Sequence, residues 1–228
     1  MTFHRITRAV RVCAIASAAL AGAAGALAGP AAEQTDALQT QAMPGGQTAL
    51  ETLMSEAQSG SKYAQNDLGV LYDKGQGMPK DYGQAAQWFR KAAQQEYADG
   101  QYNLGVLYER GQGVPKDYAQ AAQWYRKAAQ QGHIVAQNNL GALYLNGRGV
   151  AQNKVAAYAL YDLSASHDSS QDKIAFINRT LLSQKMTGQE IRAGEALRDQ
   201  MNQPGNLLKA LDEYLAASAA DSRLNEIH

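Results

Sequence analysis

Leu68 to Gln94 reads LGVLYDKGQGMPKDYGQAAQWFRKAAQ, and Leu104 to Gln130 reads LGVLYERGQGVPKDYAQAAQWYRKAAQ. Of these 27 aligned positions 22 are identical, and the five differences are conservative. The offset is 36 residues, and a more diverged third copy keeps Leu140, Gly141, Tyr144, Gly147, Gly149 and Val150 in the same slots. A half copy precedes them, with Ala57 aligned on Ala93 and Ala129, and Gly60 on Gly132. Self-similarity at this period marks a stack of supersecondary units, none of which can bury its apolar face alone.

Each unit resolves into two helices. In the first, Ala64, Leu68 and Tyr72 recur at spacing four with Leu71 beside them, which makes one apolar stripe. The slot of Ala64 holds Gly100 and Ala136 in the later copies, and Gly69, Gly105 and Gly141 leave room for a close second helix. Gly75, Gly111 and Gly147 suit the left-handed residue that closes a helix, and the Met78-Pro79 and Val114-Pro115 steps favour extended chain. Asp81 and Asp117 then start the second helix as N-caps, each with Gln three residues on. Its face carries Ala85, Trp88, Phe89, Ala92 and Ala93, then Ala121, Trp124, Tyr125, Ala128 and Ala129, expected as core.

The string LGxxYxxGxGVPxDxxxAxxWYRKAAxQG resembles the Sel-one-like repeat, a longer relative of the tetratricopeptide repeat, over about residues 49 to 167. The resemblance implies an all-α, right-handed α-solenoid of antiparallel helix pairs. It also implies that the first helices line a concave face and that the protein acts as an adaptor or scaffold. In the third copy Ala151-Gln152-Asn153 replaces the Pro-x-Asp step and Leu160 replaces Trp, the drift expected of a unit with no further neighbour.

The organisation expected from these signals has four parts. Residues 1–28 carry Arg5, Arg8 and Arg11, an Ala-rich uncharged run and a closing Ala26-Leu27-Ala28, the pattern of a secretory signal peptide cleaved after Ala28. Residues 29–46 are mostly Ala, Gln, Thr, Gly and Pro and read as a flexible linker. Residues 47–167 hold the repeats, as a partial cap at 47–62 and units at 64–99, 100–135 and 136–167. Residues 168–228 read as a C-terminal helical capping module. There Ile174, Ile177 and Leu181 form one stripe of a helix over 171–183. Thr187 and Glu190 frame a capping box, followed by Ile191, Gly194, Leu197 and Met201 on one side. Leu207, Leu211, Tyr214 and Leu215 align on a last helix over 206–219.

Charge is balanced at 21 basic and 21 acidic residues, which gives no electrostatic footprint for nucleic acid. The one cysteine, Cys13, falls within the signal peptide, so an exported form holds no thiol for disulfides, nucleophilic catalysis or metal binding. His133, His167 and His228 stand far apart in sequence without metal-ligand spacing, so no metal, cofactor or catalytic residue is expected. The Gly-x-Gly pairs lack the third Gly of a dinucleotide fingerprint and read as turns. Ser59-Gly60-Ser61-Lys62 and Ser170-Gln171-Asp172-Lys173 fit the Ser-x-x-Lys spacing of penicillin-recognising enzymes, but no KTG or Ser-Asp-Asn element accompanies them.

What remains is the face of the first helices. Its positions off the apolar stripe are Asn66, Asp67, Val70 and Asp73; Tyr102, Asn103, Val106 and Glu109; then Asn138, Asn139, Ala142 and Leu145. Amides there can bond the main chain of an extended peptide, and Tyr102 can anchor a side chain. The reading is a periplasmic or secreted adaptor for a protein or peptide, such as an envelope complex or the external domain of a membrane sensor. No membrane insertion is expected once the signal is cleaved. The alternative is a cell-envelope enzyme or enzyme regulator acting on peptidoglycan or β-lactam-type substrates.

Overall fold

The computed structural model describes residues 44–167 and 173–225, and all the secondary structure among them is helical. Signal peptide, most of the linker, Ser170 and His228 lie outside the described residues. The chain divides into two compact units, one ending at Ala92 and the other beginning at Ala93.

The first unit contains α1 (Pro44–Gln58), α2 (Lys62–Lys74) and α3 (Tyr82–Gln94), the last turn of which crosses the boundary. Helix α1 starts within the final three residues of the stretch expected as linker. Ser61 accepts from the Ala64 N–H to open α2, and Gly75 closes it at φ 68°. Ala57, Ala64 and Leu68 form the core there, with Leu53, Met54, Tyr72, Met78 and Trp88 packed on it. A Cβ at Gly69 would meet the Phe89 ring at 2.7 Å, so the missing side chain lets α2 and α3 touch.

The second unit contains α4 (Ala98–Arg110), α5 (Tyr118–Gln130), α6 (Ile134–Asn146), α7 (Lys154–His167), α8 (Ile174–Ser183), α9 (Gly188–Met201) and α10 (Leu207–Asn225). The repeat logic holds: Gly111 and Gly147 close α4 and α6 at φ 70° and 64°, and Gly105 and Gly141 admit the rings of Tyr125 and Tyr161. Asp117 caps α5 through the N–H groups of Ala119 and Gln120. In the third copy Asn153 does the same work, its amide oxygen accepting from the Ala156 N–H at 2.9 Å. Thr187 and Glu190 form the expected reciprocal box at the start of α9.

Four details differ from the reading of the sequence. Phe89 and Tyr125 are buried, but the neighbouring Trp88 and Trp124 are only half-buried, with the ammonium groups of Lys91 and Lys127 at 3.9 and 4.5 Å from their rings. Leu160 is not a product of drift at an unstacked end: Val155 to Ser164 are ten consecutive buried residues, because α7 is packed by α6, α8 and α9 together. A helix enclosed on every side is apolar all round, which is why a Trp carrying a surface lysine gives way to Leu there. Finally, Ile174, Ile177 and Leu181 face solvent, and α8 docks instead through Ala175 and Leu182. Helix α10 also runs six residues beyond the expected Ala219.

Candidate functional site

The first-helix face is best described in the second unit, where α4 and α6 flank an open groove of about 510 Å³. Tyr102, Val106 and Glu109 line it from α4, and Asn139 and Ala142 from α6. Five of the residues read from the sequence are therefore brought together. The wall is completed by Arg110, Gln112, Lys116 and Tyr118, which the helical periodicity did not mark because they belong to the end of α4, the following turn and the start of α5. Their signal in the sequence is the repeated GQGxPKDY turn, whose path back across the helix pair is a tertiary feature.

Tyr102 is held rigidly. Its ring stacks on His133 at a centroid distance of 4.5 Å and on Tyr125 at 5.9 Å. His133 itself caps α6, its Nδ1 accepting from the Ala136 N–H at 3.1 Å, which leaves the ring proton on Nε2, 3.5 Å from Asp99. Burial raises the Tyr102 hydroxyl above its ordinary pKa, with Arg110 opposing. The Tyr125 hydroxyl donates to Glu109 at 2.6 Å and accepts from Asn139 at 3.4 Å; burial, then the Glu109 bond, pushes its pKa far upward. The Glu109 carboxylate thus has one acceptor position taken up within the chain. At the other side the Lys116 ammonium and the Arg148 guanidinium lie 4.8 and 5.5 Å from the Tyr118 ring. The Gln112 Oε1 is buried without a hydrogen-bond partner, an acceptor available to an incoming N–H.

The remaining expected residues sit differently. Asn138 accepts from the Asn178 amide of α8 at 2.9 Å, so one oxygen of the ribbon is already taken within the chain. Leu145 packs on the core of the unit, and Asn103 is half-buried on α4. In the first unit Asn66 is 6 % exposed and donates to Asp67 at 3.5 Å, while Asp67, Val70 and Asp73 are half-buried. Among the described residues no group of His, Cys, Asp and Glu could hold a metal ion. The Ser59 hydroxyl donates to the Glu56 carbonyl at 2.8 Å, and the Lys62 ammonium lies 5.7 Å from the Tyr63 ring. Among the described residues no helix is long and apolar enough to cross a membrane.

Helix pairs recurring every 36 residues, with stripe, close-approach glycine and cap in fixed slots, define an all-α repeat protein of the solenoid class. It is a Sel1-repeat protein: the Sel1 repeat matches residues 62–97, 98–133 and 134–169. Two solved structures share the fold. One is a Sel1 repeat protein from Oxalobacter formigenes, 34% identical, with a TM-score of 0.51 over 63% of this chain and 66% of that one. The other is c5321, a protective antigen of uropathogenic Escherichia coli displaying an SLR fold, 29% identical, with a TM-score of 0.53 over 75% of this chain and 44% of that one. The chain spans just under two thirds of the first and under half of the second. No curated protein matches it.

Proposed function

We propose that the protein is an exported adaptor that holds an extended protein or peptide segment in the groove between α4 and α6. The observation that carries this reading is the groove itself. It combines an apolar floor at Val106 and Ala142, a stacked aromatic at Tyr102, an unsatisfied acceptor at Gln112 and the cations Arg110 and Lys116. Main-chain N–H groups suit the Gln112 oxygen, apolar side chains suit the floor, and an acidic side chain suits the cations. Sel1 repeats commonly serve protein interaction, which favours the same reading. Export rests on the Arg-rich start and Ala26-Leu27-Ala28, and places the protein in the periplasm or outside the cell.

The test fills the groove at two half-buried positions where its floor packs on the edge of the core. A partner recovered by crosslinking in envelope extract is titrated calorimetrically against the wild type and against Val106→Arg combined with Ala142→Arg. A loss of about 1 to 3 kcal/mol with unchanged helicity is expected. Unchanged affinity would remove the groove from the function. The intact mass of the exported form, expected to begin at Gly29, checks the localisation separately.

A further inference from the structure

Charge is unevenly spread along the groove between α4 and α6. Arg110 ends α4, Lys116 follows in the turn, and Arg148 reaches the Tyr118 ring from the turn after α6, so three cations gather at one end. None of the three forms an ion pair among the described residues. The acids beside them in the chain are engaged elsewhere: Glu109 accepts from the Tyr125 hydroxyl, and Asp117 accepts from the N–H groups of Ala119 and Gln120. Arg148 breaks the repeat. Its slot holds Gln76 and Gln112 in the earlier copies, while their basic slots, Lys74 and Arg110, Lys80 and Lys116, become Asn146 and Gln152 in the third. The next residue, Gly149, lies so close to the backbone of Tyr118 and Ala119 that a Cβ there would collide with both. The third copy has thus lost the cations of its own turn and gained one where that turn presses on the second copy.

Building on the reading of the groove as a peptide site, we propose that its cationic end receives an Asp or Glu side chain of the bound segment. That acid stands two residues from an apolar side chain seated on Val106 and Ala142. The lining follows α4 from Tyr102 through Val106 to Arg110, so an extended segment lies along the helix. Val106 and Arg110 are one helical turn apart, a rise of about 6 Å. In extended chain alternate side chains share a face at about 6.6 Å, so the residue after next from the apolar one arrives at the cations. Like charges gathered in a hollow repel one another, and a carboxylate between them relieves that repulsion. The buried Gln112 oxygen beside them has no hydrogen-bond partner and suits a main-chain N–H, which a peptide supplies and a free anion does not.

The purified protein is equilibrated with a library of short peptides, acetylated and amidated at their ends, in which one Leu is fixed and the flanking positions are random. Enrichment of Asp or Glu two residues from the Leu is expected, and the side on which it falls gives the direction of the chain. With Lys116→Glu and Arg148→Glu combined, both at exposed positions, the preference there should turn to Lys or Arg while circular dichroism stays unchanged. A peptide from the wild-type pool should bind that double variant about tenfold more weakly, and Arg148→Gln, which restores the residue of the earlier copies, about twofold to fivefold more weakly. Its affinity for the wild type should also fall about threefold between about 0.05 and 0.5 M sodium chloride. Peptides retained without an acid at that position, or an acidic preference that survives the charge reversal, would overturn the assignment and leave the groove as a peptide site. A pool enriched at no position would remove the peptide groove itself, and the acid with it.

Discussion

Glu96 shows how far single positions can be read from a repeat. The turns between paired units carry Gly60 at φ 101° and Gly132 at φ 80°, while Glu96 takes the same slot at φ 55°, where a side chain costs about 1 kcal/mol. The same joint lacks a side-chain cap: Ser61 and His133 open α2 and α6, but Tyr97 contributes no such bond to α4. Gly100 adds a helix-interior glycine where Ala64 and Ala136 stand fully buried. Gly100→Ala should therefore raise stability by about 0.5 to 1 kcal/mol in urea melts, and Ala136→Gly should lose a similar amount. A destabilised Gly100→Ala would mean that close contact at this slot leaves no room for a methyl group. Glu96 and Gly100 were legible because a broken rule stands out against two intact copies, whereas the uncapped start at Tyr97 was not. Gln65, Gln101 and Gln137 were not legible. Their buried amides donate to the Ala57, Ala93 and Ala129 carbonyls, closing each joint, yet a glutamine at helical spacing reads as surface until the fold is known.

At the scale of elements, pattern located the helices but not their environments. A stripe says which residues share a face; it does not say which of two faces finds a neighbour, and α8 buries the smaller one. Helix α7 gave the converse difficulty, since a segment buried on every face from Val155 to Ser164 has no single stripe to read. What fixes α8 and α9 around it is an ionic clamp with no periodic signature. Asp162, 5 % exposed, accepts from Arg179 of α8 at 2.7 Å and from Arg198 of α9 at 2.9 Å. Asp162→Ala should cost about 2 to 3 kcal/mol, below the range for a fully buried pair because both guanidiniums retain some access to water. Hydrogen exchange should show the loss as faster opening of α8 and α9, with α4 and α5 unaffected. Equal loosening throughout the second unit would mean that Asp162 stabilises its core and not the attachment of those two helices.

At the scale of the whole molecule, the groove and the exposed helix belong to the second unit, and so do the tyrosines whose titration is displaced. Tyr102, Tyr125, Tyr144, Tyr158, Tyr161 and Tyr214 all have hydroxyl pKa values raised first by burial, Tyr161 to about 12. Sequence showed Tyr102 as an anchor, Tyr125 and Tyr144 as repeat slots and Tyr214 on a helix stripe, and did not mark Tyr158 or Tyr161; that they would make the unit alkali-sensitive depends on how far water is excluded from each, which only packing decides. A folded state that holds a phenolic proton more tightly than the unfolded chain is stabilised in full below the unfolded pKa, near 10. That contribution falls as pH rises from 10 and, for Tyr161, is gone once pH passes about 12. With the ring only 3 % exposed, Tyr161 alone accounts for about 2 to 3 kcal/mol of the loss. Urea midpoints followed from pH 9 to 12 should therefore decline steadily, and Tyr161→Phe, which keeps the ring between α6 and α7 and removes the ionisable hydroxyl, should flatten the decline while changing stability little at pH 8. A variant as alkali-sensitive as the wild type would show that water reaches the Tyr161 hydroxyl in solution and that the loss is carried by the other five.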